Sequence, residues 1–141
     1  MREMTRDEAV NFLREGTRTG KLATTRADGR PHVVPIWFIV EGDELVFTTW
    51  HDSVKARNLR RDPRASLIVD LEQPPYSFVM VEGEARFIDD EKELLRVATE
   101  NGRRYMGGDR AEEFGRRNAV EGENVVRLRI DHVVARDDVA D

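Results

Sequence analysis

The feature that most constrains the fold is a series of short β-type segments separated by turn residues. Asp28-Gly29 and Gly42-Asp43 separate the first three segments, which predicts an antiparallel meander. Because closing a sheet on itself removes its exposed edges, six such segments predict a closed or nearly closed antiparallel β-barrel. The six segments occupy residues 21–25, 32–40, 44–50, 65–71, 77–88 and 126–130.

Helices are expected around this sheet, so the predicted fold class is mainly β with helices. The chain of 141 residues has the usual size of one domain, and we expect a single domain over 1–141. The capping residues Thr5, Ser53 and Asp90 predict helices over about 5–15, 53–61 and 90–107, and a weaker helix is expected over about 110–118.

Composition removes several functional classes. The chain contains no cysteine, which excludes disulfides, thiolate metal sites and cysteine nucleophiles. The formal net charge of −5 argues against a nucleic-acid partner. No apolar run is long enough to span a membrane, and the first residues are too polar for a secretory signal. We therefore expect a cytoplasmic protein without a membrane partner.

Positive charge is nevertheless concentrated in one segment, residues 53–64, which predicts a small anionic ligand. The preceding strand ends in Thr48 and Thr49, and Ser53 begins a helix whose N-terminus is electropositive. Lys55 would add an ammonium group to the same place. The alternative is that the threonines are ordinary strand residues and the cations a solvated helix face, with about equal weight. The segment carries Lys55, Arg57, Arg60, Arg61 and Arg64 against the single carboxylate of Asp62.

A second feature is Pro35, which interrupts a strand-like run. Proline lacks a backbone donor, so in a sheet it belongs at an edge, at a bulge or where the ladder opens. A flat ring lying there would meet backbone groups, with Trp37 as a ring contact. An ordinary edge strand for Pro35 and a core position for Trp37 are at least as common.

No catalytic constellation is visible. His32, His51 and His132 lack metal-ligand spacing, so no metal site is expected. Glu82 and Glu84 share one face of a strand, where solvated carboxylates are commoner than an acid/base pair. Hydrolase and nucleotide-loop functions therefore have no support.

The sequence resembles the flavin and deazaflavin oxidoreductases of the pyridoxamine 5′-phosphate oxidase-like superfamily. The resemblance implies a six-stranded antiparallel split β-barrel that forms a homodimer. It also implies a cofactor lying across Val33–Trp37 and Phe47–Thr49 at the dimer interface, with its phosphate bound by Lys55. The segments that carry the resemblance are residues 20–35, 47–48, 55–67 and 81–85.

Within this superfamily, the sequence is similar to members that use coenzyme F420. Members that bind flavin mononucleotide commonly have an arginine immediately before the lysine, whereas this chain has Val54. The arginine run suits the polyanionic tail of F420. The resemblance thus implies hydride transfer between the deazaflavin and an unsaturated small-molecule organic substrate, and the substrates of the group are bulky conjugated molecules such as quinones and tetrapyrroles. The residues expected to bind the cofactor are Val33, Pro35, Trp37, Thr48, Thr49, Ser53, Lys55, Arg57, Arg60 and Arg61.

The sequence leaves three alternatives open. The first is an oxidoreductase that uses FMN. The second is a protein that binds a flavin or deazaflavin without catalysis. A more remote one is a haem-binding split barrel, in which His51 or His132 would have to bind the haem.

Overall fold

The computed structural model describes residues 1–141, and it contains nine strands and four α-helices. A short 3-10 turn, Gly108–Arg110, joins the last two helices. In chain order the elements are β1 (Arg2–Glu3), α1 (Arg6–Arg14), β2 (Gly20–Thr25), β3 (Pro31–Ile36), β4 (Ile39–Glu41), β5 (Glu44–Trp50), α2 (Val54–Arg61), β6 (Arg64–Leu71), β7 (Ser77–Ile88), α3 (Glu91–Met106), α4 (Ala111–Asn118), β8 (Glu123–Arg129) and β9 (His132–Asp137).

The strands form one antiparallel sheet in the order β3-β2-β6-β7-β8-β5-β4. The strands β3 and β4 are consecutive parts of one bent run, so the first and last strands of this order are neighbours. The sheet therefore forms a six-stranded barrel in which β3 and β4 count as one strand. The predicted fold class is confirmed, and the six strands of the barrel correspond to the six predicted segments. The two-residue strand β1 pairs with β9, and β9 also pairs with β7.

The predicted run 32–40 is divided in two at Trp37 and Phe38, for a reason that lies outside the run. Side chains of α3 take the place of a strand partner there. The Phe38 N–H donates to the Tyr105 hydroxyl at 3.3 Å, and Arg104 donates to the Phe38 carbonyl at 2.7 Å. The backbone groups of Phe38 are therefore satisfied without a β ladder.

The strand β9 was not predicted from the sequence. It pairs with the first half of β7, whereas β8 pairs with the second half of the same edge. The chain passes from β8 to β9 over Gly83, where a Cβ atom would lie 1.6 Å from the carbonyl oxygen of Arg129. Gly83 therefore permits a close backbone approach that a side chain would prevent.

The main core fills the barrel, with Leu22, Phe47 and Leu67 fully buried. Helix α1 adds Phe12 and Leu13 to this core, and α2 adds Leu59. Helices α3 and α4 pack against each other outside the barrel, where α3 covers β5 and β8. None of these helices combines the length and the apolar character needed to cross a membrane.

Candidate functional site

The barrel is open along one line, between β3 and the second half of β5. The ladder between β4 and β5 ends at the pair Ile39 and Val46, and β3 pairs only with β2. Backbone groups on the facing edges of β3 and Phe47–Trp50 therefore have no strand partner across this line. Pro35 lies at this opening, as its missing N–H group allows.

A cavity of about 200 Å³ occupies the opening. Strand residues form one wall, and α2, α3 and α4 supply the others. Four of the ten residues expected to bind a cofactor meet here. The lining residues are Pro35, Ile36, Trp37, Thr48, Lys55, Ala98, Asn101 and Asn118.

Lys55 is brought to the cavity by the start of α2. Ser53 caps this helix by accepting a hydrogen bond from the Ala56 N–H at 3.2 Å, which places Lys55 in the first turn. The Lys55 ammonium is half-buried and makes no hydrogen bond or ion pair. Burial lowers its pKa below the usual value, and the negative charge of Glu123 opposes this effect. A partly buried cation without a partner, beside a helix N-terminus, is suited to an anionic ligand.

Glu123 is the carboxylate that faces this lysine. It begins β8, where it pairs with Trp50 of β5. Its charged oxygens lie more than 4 Å from the Lys55 nitrogen, so the two groups attract without forming an ion pair. Burial raises the pKa of Glu123, and the charges of Lys55 and His51 counteract this shift. The gap between the two charges leaves Lys55 available to a ligand.

The two threonines at the end of β5 point to opposite faces, as strand alternation requires. Thr48 lines the cavity. Thr49 is buried on the other face, where its hydroxyl lies 3.0 Å from the hydroxyl of Ser53. Thr49 and Ser53 therefore act on the start of α2, and of this pair of threonines only Thr48 reaches the cavity.

Trp37 forms an aromatic wall of the cavity. Its ring stacks on Tyr105 with centroids 5.2 Å apart and an interplanar angle of 4°, and it meets Phe114 at 5.8 Å. The Tyr105 hydroxyl in turn donates to the Arg18 carbonyl. This packing fixes the Trp37 ring against α3 and leaves one side of it toward the cavity.

The three arginines expected at the cofactor tail do not act as one group. Arg60 donates to the His51 carbonyl at 2.6 Å and to Asn124 at 2.7 Å. Arg61 donates to the Thr25 carbonyl at 2.5 Å. Both are thus engaged in holding α2 to the barrel. Arg57, by contrast, is exposed, and its one ion pair is a long contact of 3.9 Å with a carboxylate oxygen of Asp52. None of the three lines the cavity.

Val33 lies outside the cavity on the outer face of the sheet, where 63% of it is exposed. Pro35 follows two residues later on the same face and reaches the cavity. No helix covers this part of the sheet, which also exposes Ile68 of β6. Val33 therefore remains exposed on the sheet surface beside the opening.

Sequence reasoning missed Asn101 of α3. The predicted apolar stripe of this helix ran through Leu94, Leu95, Ala98 and Tyr105, but Leu95 is 48% exposed. Asn101 falls on the buried side with only 4% exposed. A polar residue at helical spacing from Leu94, Ala98 and Tyr105 was the signal that would have found it.

Four wider grooves, of about 830, 680, 560 and 350 Å³, lie elsewhere on the surface. The widest follows the start of α3 and is bordered by the acidic residues Asp89, Asp90, Glu91 and Glu121. Acidic residues at a helix start are favourable to the helix itself. The unpaired cations that border these grooves, Lys92 and Arg14, are exposed, whereas Lys55 is half-buried, so the cavity at the barrel opening is the better candidate site.

A split barrel with a lysine-containing cavity at its opening is the class of protein that the fold and the site define. The sequence pattern of the family described as pyridoxamine 5′-phosphate oxidase matches residues 5–136, nearly the whole chain. The chain belongs to this family.

Solved structures agree with this assignment. The conserved hypothetical protein Rv2991 from Mycobacterium tuberculosis is 30% identical, with 96% of this chain and 86% of that chain covered and a TM-score of 0.85. An F420 reductase is 25% identical over 87% of this chain and 94% of that chain, with a TM-score of 0.68. An FAD-binding protein from Mesorhizobium loti, 22% identical over 95% of each chain with a TM-score of 0.69, shows the fold alone. The family and its relatives thus include oxidoreductases.

Proposed function

We propose that this chain is a coenzyme F420-dependent oxidoreductase. It would transfer a hydride between the deazaflavin and an unsaturated organic substrate at a site completed by a second copy of the chain. The observation that carries the proposal is the unpaired, half-buried ammonium of Lys55 in a cavity at the barrel opening. Family membership and the 25% identity to an F420 reductase support the same class of cofactor.

The residues present fit such a cofactor. Lys55 would bind its phosphate through a charge-assisted contact, strengthened by the N-terminus of α2. Backbone groups on the unpaired edges of β3 and β5 would meet the heteroatoms of the ring, with Trp37 as an adjacent apolar surface. The bound deazaflavin supplies hydride chemistry, so the protein needs only to bind, orient and exclude water.

A homodimer is part of this proposal. The outer face of β3, β2, β6 and β7 carries a row of apolar or half-buried side chains that no helix of the same chain covers. Val33, Ile68 and Met80 belong to this face. Because it adjoins the cavity at Pro35, a second copy placed here would help to enclose the ligand. Ile68→Glu is expected to yield monomers in sedimentation equilibrium, and a monomeric wild-type protein at micromolar concentration would contradict the dimer.

FMN is the alternative cofactor, and one observation favours it. Arg60 and Arg61 bind backbone carbonyl groups within the fold, so they are poorly placed to receive a long anionic tail. If these arginines do not contact the tail, FMN, which lacks the long anionic tail, would bind as well as F420. Val54, which stands directly before Lys55 where members that bind FMN commonly have an arginine, still favours F420.

The deciding experiment is titration of the purified protein with F420 and with FMN. F420 is expected to bind at least tenfold more tightly, a difference of about 1.4 kcal/mol. Lys55→Ala should weaken F420 binding about ten- to a hundredfold, since a charge-assisted contact contributes roughly 1.5–3 kcal/mol. Lys92→Ala is the matched control, because Lys92 is exposed on α3 and does not line the cavity.

Equal affinities for the two cofactors would assign FMN instead, and full affinity in Lys55→Ala would place the anion site elsewhere. A screen with F420 and quinone, nitroaromatic and tetrapyrrole substrates then tests turnover. Tight cofactor binding without reduction of any substrate would favour a protein that binds the cofactor without catalysis.

A further inference from the structure

Asn101 is the one polar side chain on the fully buried face of α3. Its neighbours on this face are Val97, Ala98 and Gly102. An apolar residue would complete the packing there, and leucine has the same branched arrangement of side-chain atoms. The amide is 96% buried, since only 4% of the residue is exposed. A buried polar group in such a position needs a hydrogen-bond partner or a function.

The orientation of this amide is fixed by the helix itself. Its Nδ2 group donates to the Val97 carbonyl at 3.1 Å. The opposite orientation would place the Asn101 Oδ1 atom against that carbonyl oxygen, which is repulsive. The Oδ1 atom therefore points away from Val97, and it has no hydrogen-bond partner. It is a buried acceptor that lacks a donor.

The same cavity contains a second unsatisfied group. Lys55 lacks an anion, and Asn101 lacks a donor, and both line the opening of the barrel. The cavity of about 200 Å³ is smaller than the roughly 300–1,000 Å³ of pockets that enclose a whole ligand. Since both residues line this one small cavity, we expect them to meet the same end of the ligand.

We propose that Asn101 accepts a hydrogen bond from a hydroxyl group of the ligand next to the anion bound by Lys55. The cavity then selects hydroxylated phosphate esters over phosphate esters that have no such hydroxyl. This inference deepens the proposed function and rests on it for the phosphate at Lys55. It does not depend on which of the two cofactors is used.

Two small ligands of equal charge and length test the proposal, namely glycerol 3-phosphate and n-propyl phosphate. They differ only in the hydroxyl groups. Fluorescence of Trp37, measured in the Trp50→Phe protein, reports binding because Trp37 lines the cavity and Trp50 does not. Glycerol 3-phosphate is expected to bind about three- to tenfold more tightly, the range of one net hydrogen bond. Equal affinities of the two esters would overturn the proposal without any change at Asn101.

Asn101→Leu should abolish the preference while changing the affinity for n-propyl phosphate less than about twofold. The unfolding temperature of the ligand-free variant should equal or exceed that of the parent protein, because an unpaired acceptor has been removed. A purely structural role predicts the opposite, a lower unfolding temperature and an unchanged preference.

Lys55→Ala separates this proposal from the proposed function. It should weaken both esters about tenfold or more, because both share the phosphate. If Lys55→Ala does so and Asn101→Leu keeps the preference, only the role of Asn101 is overturned. If Lys55→Ala binds both esters as well as the parent protein, the anion site of the proposed function is wrong as well.

Discussion

Two polar regions on opposite parts of β5 are built in contrasting ways. Near the start of β5, an ion-pair cluster joins β4, β5, β7, β8 and α3, and every charge in it has a partner. Near its end, Lys55 and Asn101 line a cavity and lack partners for their ammonium and Oδ1 groups. The ion-pair cluster consists of Glu41, Glu44, Arg86, Arg96 and Arg127.

The contrast shows which charges stabilise the fold and which are available to a ligand. Arg127 donates to Glu44 at 2.9 Å and to Glu41 at 3.1 Å, so its charge is neutralised within the protein. Satisfying Lys55 in the same way would have required a carboxylate within contact distance. The carboxylate oxygens of Glu123 lie more than 4 Å from the Lys55 nitrogen. Incomplete pairing of a half-buried charge is costly for folding, and it is typical of binding sites.

The largest expected effect on stability is that of Arg127→Met in the ion-pair cluster. Its side chain is only 17% exposed, and its loss leaves Glu41 and Glu44 with one arginine each. We expect the free energy of unfolding to fall by roughly 2–3 kcal/mol, below the 3–5 kcal/mol of a fully buried pair. Urea denaturation measures the change. A loss of cofactor affinity without loss of stability would reverse the roles of the two regions.

A smaller effect is expected for Arg60→Ala, which tests whether α2 has structural or ligand-binding arginines. Loss of its contacts with His51 and Asn124 should reduce the unfolding free energy by about 1 kcal/mol. F420 affinity should change little. Arg57→Ala is the complement, with unchanged stability and an affinity loss of about twofold that disappears at high salt. Equal losses of affinity in both variants would restore the tail contact expected from the sequence.

The pH dependence of anion binding sharpens the comparison further. Lys55 binds an anion only when it is protonated. Because its pKa is lowered, the affinity for an anion should begin to decrease at a lower pH than for an ordinary lysine. Glu123 acts in the same direction, because ionisation above its raised pKa adds repulsion. We expect Glu123→Gln to tighten phosphate binding about two- to fivefold at neutral pH. Calorimetric titration across pH measures this, and weaker binding by Glu123→Gln would contradict it.

The smallest expected effect concerns acid stability. Arg96 and Arg127 hold the pKa of Glu41 below its usual value, mainly through hydrogen bonds. The stabilisation is complete above the pKa of an unfolded glutamate and is lost as pH falls through the lowered value. Glu41→Gln should therefore show a shallower loss of stability on acidification. If the unfolding temperature of Glu41→Gln decreases with falling pH as steeply as that of the wild-type protein, Glu41 does not contribute to the acid dependence of stability.

Much of the fold could be predicted because its signals are local. The alternation of apolar and polar residues and the turn residues located the six strands of the barrel. Ser53 and Asp90 cap α2 and α3 as expected. The strand β9 was missed because it is held by its pairing with β7, a long-range contact. The division of the predicted run at Phe38 likewise depends on Arg104 and Tyr105, which are more than sixty residues away along the chain.

The candidate site divides in the same manner. The sequence by itself determined that Thr48 and Lys55 follow one another at the end of a strand and the start of a helix, since capping and alternation depend on near neighbours. Only the tertiary structure decided that Lys55 stays unpaired while Arg60 and Arg61 are engaged. It also decided that Asn101 joins them from α3. The physical reason is that pairing of a charge or an amide depends on which distant groups packing brings within about 3 Å, and hydrogen bonds have no longer reach.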